Sequence, residues 1–239
     1  MLQRQQLNLY QTIRDKIGRT SDYMEGEIIT FINPYSYLVA RKSTETFSKF
    51  DRVYVDGMVL LLLFRISGIS NLKRFSFDYT SIGKEVLEYL NASQKSVYII
   101  GTTSNNLEKA IKNIKEMYPS INLLDYRHGY FESDGELETV IKNIVEINPT
   151  FVIAGMGSPY QEKFLVKLKE AGWNGTGFTC GGFLHQSAKN VAYYPEWINK
   201  LSIRWMYRIW DEPKLVKRYF VWYPISVVML LKDIVTLNK

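Results

Sequence analysis

The sequence predicts an α/β protein: a Rossmann-like parallel sheet with helices on both faces, followed by a helical appendage. Short apolar runs alternate with longer helix-periodic stretches, as expected of a parallel sheet covered by helices. Several of the apolar runs end in a glycine or a small polar residue. The last fifth of the chain breaks this alternation and is rich in Trp, Tyr and Arg. We therefore expect a Rossmann-like domain over residues 1–190 and a basic, aromatic appendage over residues 191–239.

The apolar runs have the length of strands, and the stretches between them have the periodicity of helices. The predicted strands are, in chain order, Glu27–Asn33, Arg52–Val55, Ser96–Ile100, Asn122–Tyr126, Thr150–Ala154 and Gly175–Thr179. The predicted helices are Tyr35–Phe50, Met58–Ile66, Ser81–Asn91, Asn105–Met117, Gly135–Ile147 and Pro159–Ala171. Ligands of open parallel sheets bind beyond the carboxyl ends of the strands, so the candidates for chemistry lie there.

Composition excludes several classes of protein. At 239 residues the chain suits one large domain with an appendage, and 46% hydrophobic with 23% charged residues excludes a disordered or fibrous protein. The single cysteine, Cys180, permits no internal disulfide and no cysteine metal cluster. With only His128 and His185 beside it, a zinc site lacks ligands, so we expect no metal and no cofactor. The first residues lack a signal-peptide apolar run, which favours the cytoplasm.

The appendage carries most of the excess positive charge. Of the net charge of +6, residues 199–239 hold +5, from eight Lys/Arg against three Asp/Glu. Between Tyr219 and Leu231 lie 13 uncharged residues, fewer than the ~20 that span a bilayer, and Pro224 is expected to interrupt them. A basic flank beside Trp, Tyr and Leu is typical of an interfacial helix, so we predict peripheral binding to a membrane. Packing of this segment on the sheet is the alternative.

The stretch GMGSPYQEKF, from Gly155 to Phe164, follows the apolar run TFVIA. Two glycines allow close approach of a ligand, Pro159 suits a first helical turn, and free amides at a helix start attract an anion. Gln161 could donate to a phosphate oxygen, and Glu162 could complement the helix dipole. A tight turn with Ser158 as the helix cap explains the pattern equally well. The absence of a P-loop lysine and of G-x-G-x-x-G argues against ATP or a dinucleotide.

Two further loops follow predicted strands. Asp56 ends VYVD and precedes a glycine, where a carboxylate could accept a proton from a hydroxyl nucleophile, although Asp-Gly is also a common turn. GTTSNN, which begins at Gly101, could line a nucleotide with its hydroxyls and amides. Ser104 or a neighbour acting as an ordinary helix cap is the alternative for that loop.

Taken together, these motifs resemble the WecG/TagA/CpsF glycosyltransferases. The resemblance spans Ile29 to Tyr219 in order, and it rests on the strings VDG, IIG, YP, HGYF, GMGSPYQE, GG, P-x-W, RWMYR and EP. It implies an inverting, metal-independent enzyme that moves a hexose or N-acetylhexosamine from a UDP-sugar to a polyprenyl diphosphate-linked saccharide. The work of such an enzyme lies in cell-surface polysaccharide assembly at the cytoplasmic membrane surface, and the appendage completes its active site.

The resemblance also implies roles for particular residues. Asp56 matches the general base, Gln161 lies near the donor phosphates, and Arg208 and Arg218 of the appendage stabilise the leaving group. Arginines and helix amides can neutralise a departing diphosphate where no metal serves. The expected substrate-binding residues are Thr30, Asn33, Gly101, Thr102, Tyr130, Gly155, Gly157, Ser158, Pro159, Glu162, Gly181, Gly182 and His185.

The chain departs from the commoner family pattern near the appendage. Leu184-His185 replaces a usual Phe-Asp, and Arg204-Trp205 replaces a common Glu-Trp. Tyr193-Tyr194-Pro195 stands for Arg-Ala-Pro, and Leu215 for an arginine after Glu-Pro. His185 could substitute functionally in the donor pocket or be a hydrogen-bonded structural residue.

Two other functions are compatible with the sequence. A non-catalytic, nucleotide-sugar-binding regulatory or scaffold protein would explain the departures, whereas the intact VDG and PYQE strings favour an enzyme. Nucleic-acid binding by the basic aromatic tail lacks any recognised fold signature, so no nucleic-acid partner is expected. Association into a homo-oligomer is compatible with the sequence.

Overall fold

A six-stranded parallel sheet forms the centre of the computed structural model, which describes residues 8–193, 195, 198 and 204–237. The strands are β1 (Ile28–Ile32), β2 (Arg52–Val55), β3 (Val97–Gly101), β4 (Leu123–Arg127), β5 (Phe151–Gly155) and β6 (Thr176–Thr179). Their order in the sheet is β2-β1-β6-β5-β3-β4, and every neighbouring pair is parallel. The predicted Rossmann-like sheet is confirmed.

Helices cover both faces of the sheet. They are α1 (Leu9–Lys16), α2 (Pro34–Arg41), α3 (Thr44–Ser48), α4 (Met58–Ile66), α5 (Ile82–Ser93), α6 (Ser104–Met117), α7 (Asp134–Ile147), α8 (Tyr160–Glu170), α9 (Phe183–Ser187), α10 (Arg204–Asp211) and α11 (Tyr223–Leu237). The alternating side chains of β3 reach both layers: Val97 and Ile99 pack with α5 and α6, and Tyr98 and Ile100 pack with α7 and α8. This two-sided burial explains why the strand is apolar throughout.

The first predicted helix divides in two. The single helix expected over Tyr35–Phe50 is α2 and α3, because Lys42 closes α2 by donating its N–H to Val39 and Ala40. Ser and Thr follow directly, and these residues favour helix ends over helix interiors. Helix α1 and the five-residue α9 were not predicted.

The C-terminal helix α11 is tied to α2 through Asp233. The Tyr37 hydroxyl donates to its carboxylate at 2.7 Å, and Arg41 donates through Nε and Nη2, both at 2.8 Å. Leu230, one turn earlier, is fully buried in a cluster that includes residues of α1, α2 and α4. These contacts fix α11 beside the β1–β2 side of the sheet.

Helix α10 is held by two ion-paired contacts. Asp211 at its end meets Lys189 and the Tyr193 hydroxyl, and Arg204 at its start meets Asp78 at 3.2 Å. Trp197, the tryptophan of the P-x-W string, lies outside the described residues. The appendage therefore covers the carboxyl edge of the sheet.

Pro224 does not interrupt the helix. A π-helical turn (Arg218–Trp222) precedes α11, and the Tyr223 N–H donates to the Arg218 carbonyl across it. Since proline offers no N–H, a widened turn beside it accommodates the missing α-helical hydrogen bond. The helical run Pro213–Thr236 has 24 residues, and its most apolar 18-residue window has a mean hydropathy of 1.3, so it is long and apolar enough to cross a membrane by length and composition alone. The 13 uncharged residues that we expected to be too few for a span lie within this longer helix, and the Asp233 anchor favours a helix lying against the domain.

We expect Asp233→Ala to loosen α11 without unfolding the sheet. Two donors, Tyr37 and Arg41, lose their acceptor, which costs about 1–3 kcal/mol of local stability. Hydrogen exchange should show faster opening of residues 223–237, while the core strands keep their protection. Lys232→Ala, at an exposed neighbouring position, is the matched control. Unchanged exchange in α11 would contradict the anchoring role.

Candidate active site

Three adjoining cavities lie at the carboxyl edge of the sheet. The tail-side cavity has a volume of about 560 Å³, the central cavity about 350 Å³ and the distal cavity about 1070 Å³. The central and distal cavities share Gly181. The tail-side and central cavities share a wall of five polar residues, namely Asn33, Asp56, Asp78, Arg208 and Arg218. The predicted catalytic residues Asp56, Arg208 and Arg218 thus come together at this shared wall.

Asp56 occupies the end of β2. Its N–H donates to the Ile32 carbonyl at 2.7 Å, and Gly57, with φ of +108°, turns the chain away into α4. The Asp56 side chain keeps 35% exposure, and Oδ1 accepts from Arg74 Nε at 3.2 Å. Arg74 also donates to Ser76 at 2.8 Å. Arg74 was not predicted, because no local motif marks it; only the pairing of its neighbour Phe75 with Val55 brings it to Asp56.

The two aspartates of the shared wall differ in acidity. Burial raises the pKa of Asp56, with a smaller rise from the Asp78 charge, while Arg74 and Arg208 offset part of this. Burial acts on Asp78 too, but hydrogen bonds from Thr80 and Ser76 and the charges of Arg204 and Arg74 hold the pKa of Asp78 below its usual range. Asp78 therefore stays anionic, and Asp56 is the carboxylate suited to accept a proton.

Two arginines of the appendage, Arg208 and Arg218, line the same two cavities as Asp56. Arg208 donates to Glu212 at 3.0 Å, and its Nη2 lies 3.5 Å from where a β-carbon at Gly182 would be. Arg218 donates to Asn33 at 3.2 Å and stacks on the Tyr35 ring at 4.5 Å. Among the described residues lining the tail-side cavity, four guanidinium groups face two carboxylates. This excess favours an anionic ligand.

The glycines of the predicted donor loops divide into two kinds. A β-carbon at Gly101 would lie 2.3 Å from the Gly155 carbonyl, and one at Gly155 would lie 2.7 Å from Cys180 Sγ. These two glycines were expected to make room for a ligand. Their missing side chains instead make room mainly for neighbouring segments of the protein chain. At Gly157 and Gly181, by contrast, a β-carbon would meet no atom within 4 Å and would point into open space beside the central cavity. Only the second pair leaves room for a phosphate.

Gln161 and Glu162 are more buried than expected. Glu162 is 0% exposed, and its Oε1 accepts from Gln161 Nε2 at 3.0 Å and from Thr30 Oγ1 at 3.1 Å. Gln161 Oε1 in turn accepts from the Gly181 N–H at 3.2 Å, which leaves one Nε2 hydrogen for the central cavity. Thr30 and Glu162, expected to bind substrate, therefore lie behind the cavity wall. They hold Gln161 and the Gly181 loop in position.

Contrary to one alternative, Ser158 does not cap α8, and Pro159 precedes the first helical turn rather than lying in it. Pro159 occupies the N-cap position, and no side-chain cap bond forms there. The Ser158 hydroxyl lines the central cavity, and within the described part of the chain its buried Oγ has no hydrogen-bond partner. The loop GTTSNN does contain a cap, since Thr103 accepts from the Asn106 N–H.

The distal cavity gathers the remaining predicted residues. Thr102, with φ of +47°, donates its N–H to Gly155 at 3.0 Å, and its carbonyl accepts from Gly129 at 2.9 Å. His185 Nδ1 lies 3.0 Å from Asn106 Nδ2. Because the amide nitrogen can only donate, the imidazole proton is on Nε2. His185 is thus hydrogen-bonded, as one alternative held, and also lines the cavity, as does Tyr130.

No group of three or more His, Cys, Asp or Glu residues that could hold a metal ion occurs in the described ranges. What the geometry offers is a partly buried carboxylate between two cavities, with arginines and open glycine loops beside it. Such an arrangement can remove a proton from one ligand while binding the anionic part of another.

Comparison with known proteins identifies the family. The profile of the glycosyl transferase WecG/TagA/CpsF family matches residues 4–239. The chain belongs to this family. The resemblance seen in the sequence motifs is therefore confirmed, and the protein is a glycosyltransferase.

Curated relatives within the WecG/TagA/CpsF family share much of the chain. A UDP-Gal:alpha-D-GlcNAc-diphosphoundecaprenol beta-1,4-galactosyltransferase of Shigella boydii is 34% identical over 206 residues, 86% of each chain. An N-acetylglucosaminyldiphosphoundecaprenol N-acetyl-beta-D-mannosaminyltransferase of Bacillus subtilis (strain 168) is 26% identical over 208 residues, covering 82% of this chain and 79% of that one. The enzyme of the same name from Staphylococcus aureus (strain NCTC 8325 / PS 47) is 30% identical over 134 residues, covering 56% and 52%.

Substitution of Glu162 tests the buried network. Burial raises the pKa of Glu162, although hydrogen bonds from Gln161 and Thr30 oppose the rise. We expect Glu162→Gln to keep the fold, because its carbonyl can still accept from Gln161 and Thr30. Glu162→Ala should lower the free energy of unfolding by about 1–3 kcal/mol for each donor left unpaired. Denaturant titration measures both, and equal losses in the two variants would contradict this account.

Proposed function

We propose that the protein is an inverting glycosyltransferase that moves a hexose or N-acetylhexosamine from a UDP-sugar to a polyprenyl diphosphate-linked saccharide. The observation that carries the proposal is the position of Asp56 in the wall shared by the tail-side and central cavities. A base at this wall can reach an acceptor hydroxyl on one side and a donor sugar on the other. Family membership supplies the reaction class.

The names of the relatives support both substrates. The Shigella enzyme is named for UDP-galactose and the Bacillus and Staphylococcus enzymes for N-acetylmannosamine transfer, whereas all three act on N-acetylglucosaminyl diphosphoundecaprenol. The three names share the acceptor and differ in the sugar. We therefore propose the same class of acceptor here, in cell-surface polysaccharide synthesis.

The cavities suit different parts of the substrates. The distal cavity, with Tyr130 and the Nε2–H of His185, suits the uridine, since an aromatic ring and a donor can both contact a base. The open loops at Gly157 and Gly181 suit the diphosphate. The tail-side cavity, with its excess of arginines, suits the diphosphate-linked acceptor.

The transfer would then occur in one displacement. Asp56 takes the proton of the acceptor hydroxyl as its oxygen bonds to the anomeric carbon, and the bond from that carbon to the UDP oxygen breaks. The configuration at the anomeric carbon inverts, because the acceptor oxygen attacks the face opposite to the one from which UDP departs. Arg208 and Arg218 neutralise the charge that develops on UDP. Inversion agrees with the beta linkage in the name of the Shigella enzyme, since UDP-galactose is an alpha donor.

The appendage would bring this chemistry to the membrane. Its helical run Pro213–Thr236 is apolar, and only 17% of its most apolar window is buried. We propose that it rests on the cytoplasmic face of the plasma membrane as a peripheral element, where a polyprenyl-linked acceptor is presented. A non-catalytic scaffold is not favoured, because the family consists of glycosyltransferases.

Asp56→Asn tests the base assignment and the function together. The amide keeps the shape of the side chain but cannot take a proton, so we expect turnover to fall by about a hundredfold or more. Donor binding should persist, seen as a thermal shift with a panel of UDP-sugars. Asp51→Asn, a distant surface aspartate, is the control. Near-normal transfer by Asp56→Asn to a lipid-linked acceptor would overturn the assignment, and no transfer by the wild-type protein with any donor would overturn the function.

Arg74→Met tests the tuning of Asp56. The guanidinium lowers the pKa of Asp56, so its removal raises that pKa. A base must be deprotonated to act, and the acid limb of the kcat/KM profile should therefore move to higher pH. Lys73→Met, an exposed neighbour, should leave the limb in place. An acid limb that stays fixed or moves to lower pH in Arg74→Met would contradict this role.

A further inference from the structure

Helix α4 belongs to the sheet domain, yet its outer face is apolar. Its sequence is MVLLLLFRI, and Leu60, Leu61 and Phe64 bury its inner face. The outer face exposes Met58, Val59, Leu62 and Ile66, which are between 47% and 72% accessible. A helix that is apolar all round is normally enclosed by protein or lipid. The charged side chain of this helix, Arg65, is turned back onto the Leu72 carbonyl.

The exposed α4 stripe, defined as Met58, Val59, Leu62 and Ile66, starts at the mouth of the tail-side cavity. Met58 and Val59 line that cavity on one side. Trp205 of α10 and Phe220 of the π turn line it on the other, and both are exposed, at 44% and 65%. Apolar side chains from three separate elements therefore surround the opening that leads to Asp56.

We infer that the α4 stripe inserts into the bilayer together with the appendage, so that the tail-side cavity opens directly onto the membrane surface. Exposed lysines on the appendage, Lys214, Lys217 and Lys232, accompany the Trp and Phe side chains. Lysine beside Trp and Phe suits anionic headgroups, whereas a second copy of this basic surface would be repelled. The inference rests on the proposed function only for the identity of the substrate. That substrate is a polyprenyl-linked sugar, which must enter the tail-side cavity from the lipid bilayer.

Vesicle binding tests the stripe without any sugar substrate. Vesicles of phosphatidylethanolamine and phosphatidylglycerol are sedimented with wild-type protein and with Leu62→Gln/Ile66→Gln. The double variant should partition about tenfold more weakly or worse, because two aliphatic side chains lose their contact with hydrocarbon. Leu124→Gln/Ile147→Gln, which changes two equally aliphatic exposed residues elsewhere, should bind like the wild type.

A fluorescent probe gives a second readout that does not depend on a loss of binding. Cys180 is buried, so a cysteine introduced by Ile66→Cys can be labelled selectively with an environment-sensitive dye. Its emission should shift to the blue when vesicles are added, and the same dye after Leu124→Cys should not respond.

The outcomes separate the stripe from the proposed function. Wild-type partitioning of Leu62→Gln/Ile66→Gln, or no shift at position 66, overturns the inference whatever the enzyme assay gives. A blue shift that appears without vesicles, with a dimer in light scattering, also overturns it and assigns the face to a second copy. Failure of the wild-type protein to transfer sugar overturns the proposed function but leaves the vesicle result standing.

Discussion

The Asp233 carboxylate, held by Tyr37 and Arg41 from adjacent turns of α2, fixes the position of α11 and of the turn before it that carries Arg218. Helix α2 begins directly after β1, with Asn33 as its N-cap. The Asp233 contact with α2 therefore holds α11 in a fixed position relative to the end of β1 and to Asn33. Arg218 can then reach Asn33 and Tyr35 from the other direction. A site made from two distant parts of the chain thus depends on a contact outside the cavities.

In the wall shared by the tail-side and central cavities, arginines are distributed between the two carboxylates Asp56 and Asp78. Arg74 contacts both Asp56 and Asp78, and Arg204 adds a second cation to Asp78 alone. Asp78 also accepts hydrogen bonds from Thr80 and Ser76, and it is therefore the better stabilised of the two carboxylates. Asp56 keeps a raised pKa and partial exposure, which are the properties of a residue that exchanges a proton. Arginine is suited to this task because it stays charged whatever its neighbours do.

The sequence was sufficient for the sheet and for the residues that lie in local motifs. The apolar runs predicted all six strands, and VDG and RWMYR pointed to Asp56 and Arg208. It was insufficient wherever a role depends on a distant partner. Nothing near Arg74 announces its pairing with Asp56, and nothing near Glu162 shows that Thr30 lies against it. Likewise, a glycine that admits a neighbouring strand, such as Gly101, has the same local signature as one that admits a ligand.

Because of the π turn, the number of residues between Arg218 and Ser226 determines the direction in which Arg218 points. An α-helix advances by about 100° per residue, and a π turn delays this rotation by roughly one residue. The delay lets Arg218 face the domain on the same side as Ser226, Leu230 and Asp233, while Phe220 and Val228 face outward. A side-chain substitution along the tail therefore disturbs this arrangement less than the gain or loss of a residue between Arg218 and Ser226. A one-residue insertion or deletion there would rotate Arg218 away from the anchored face.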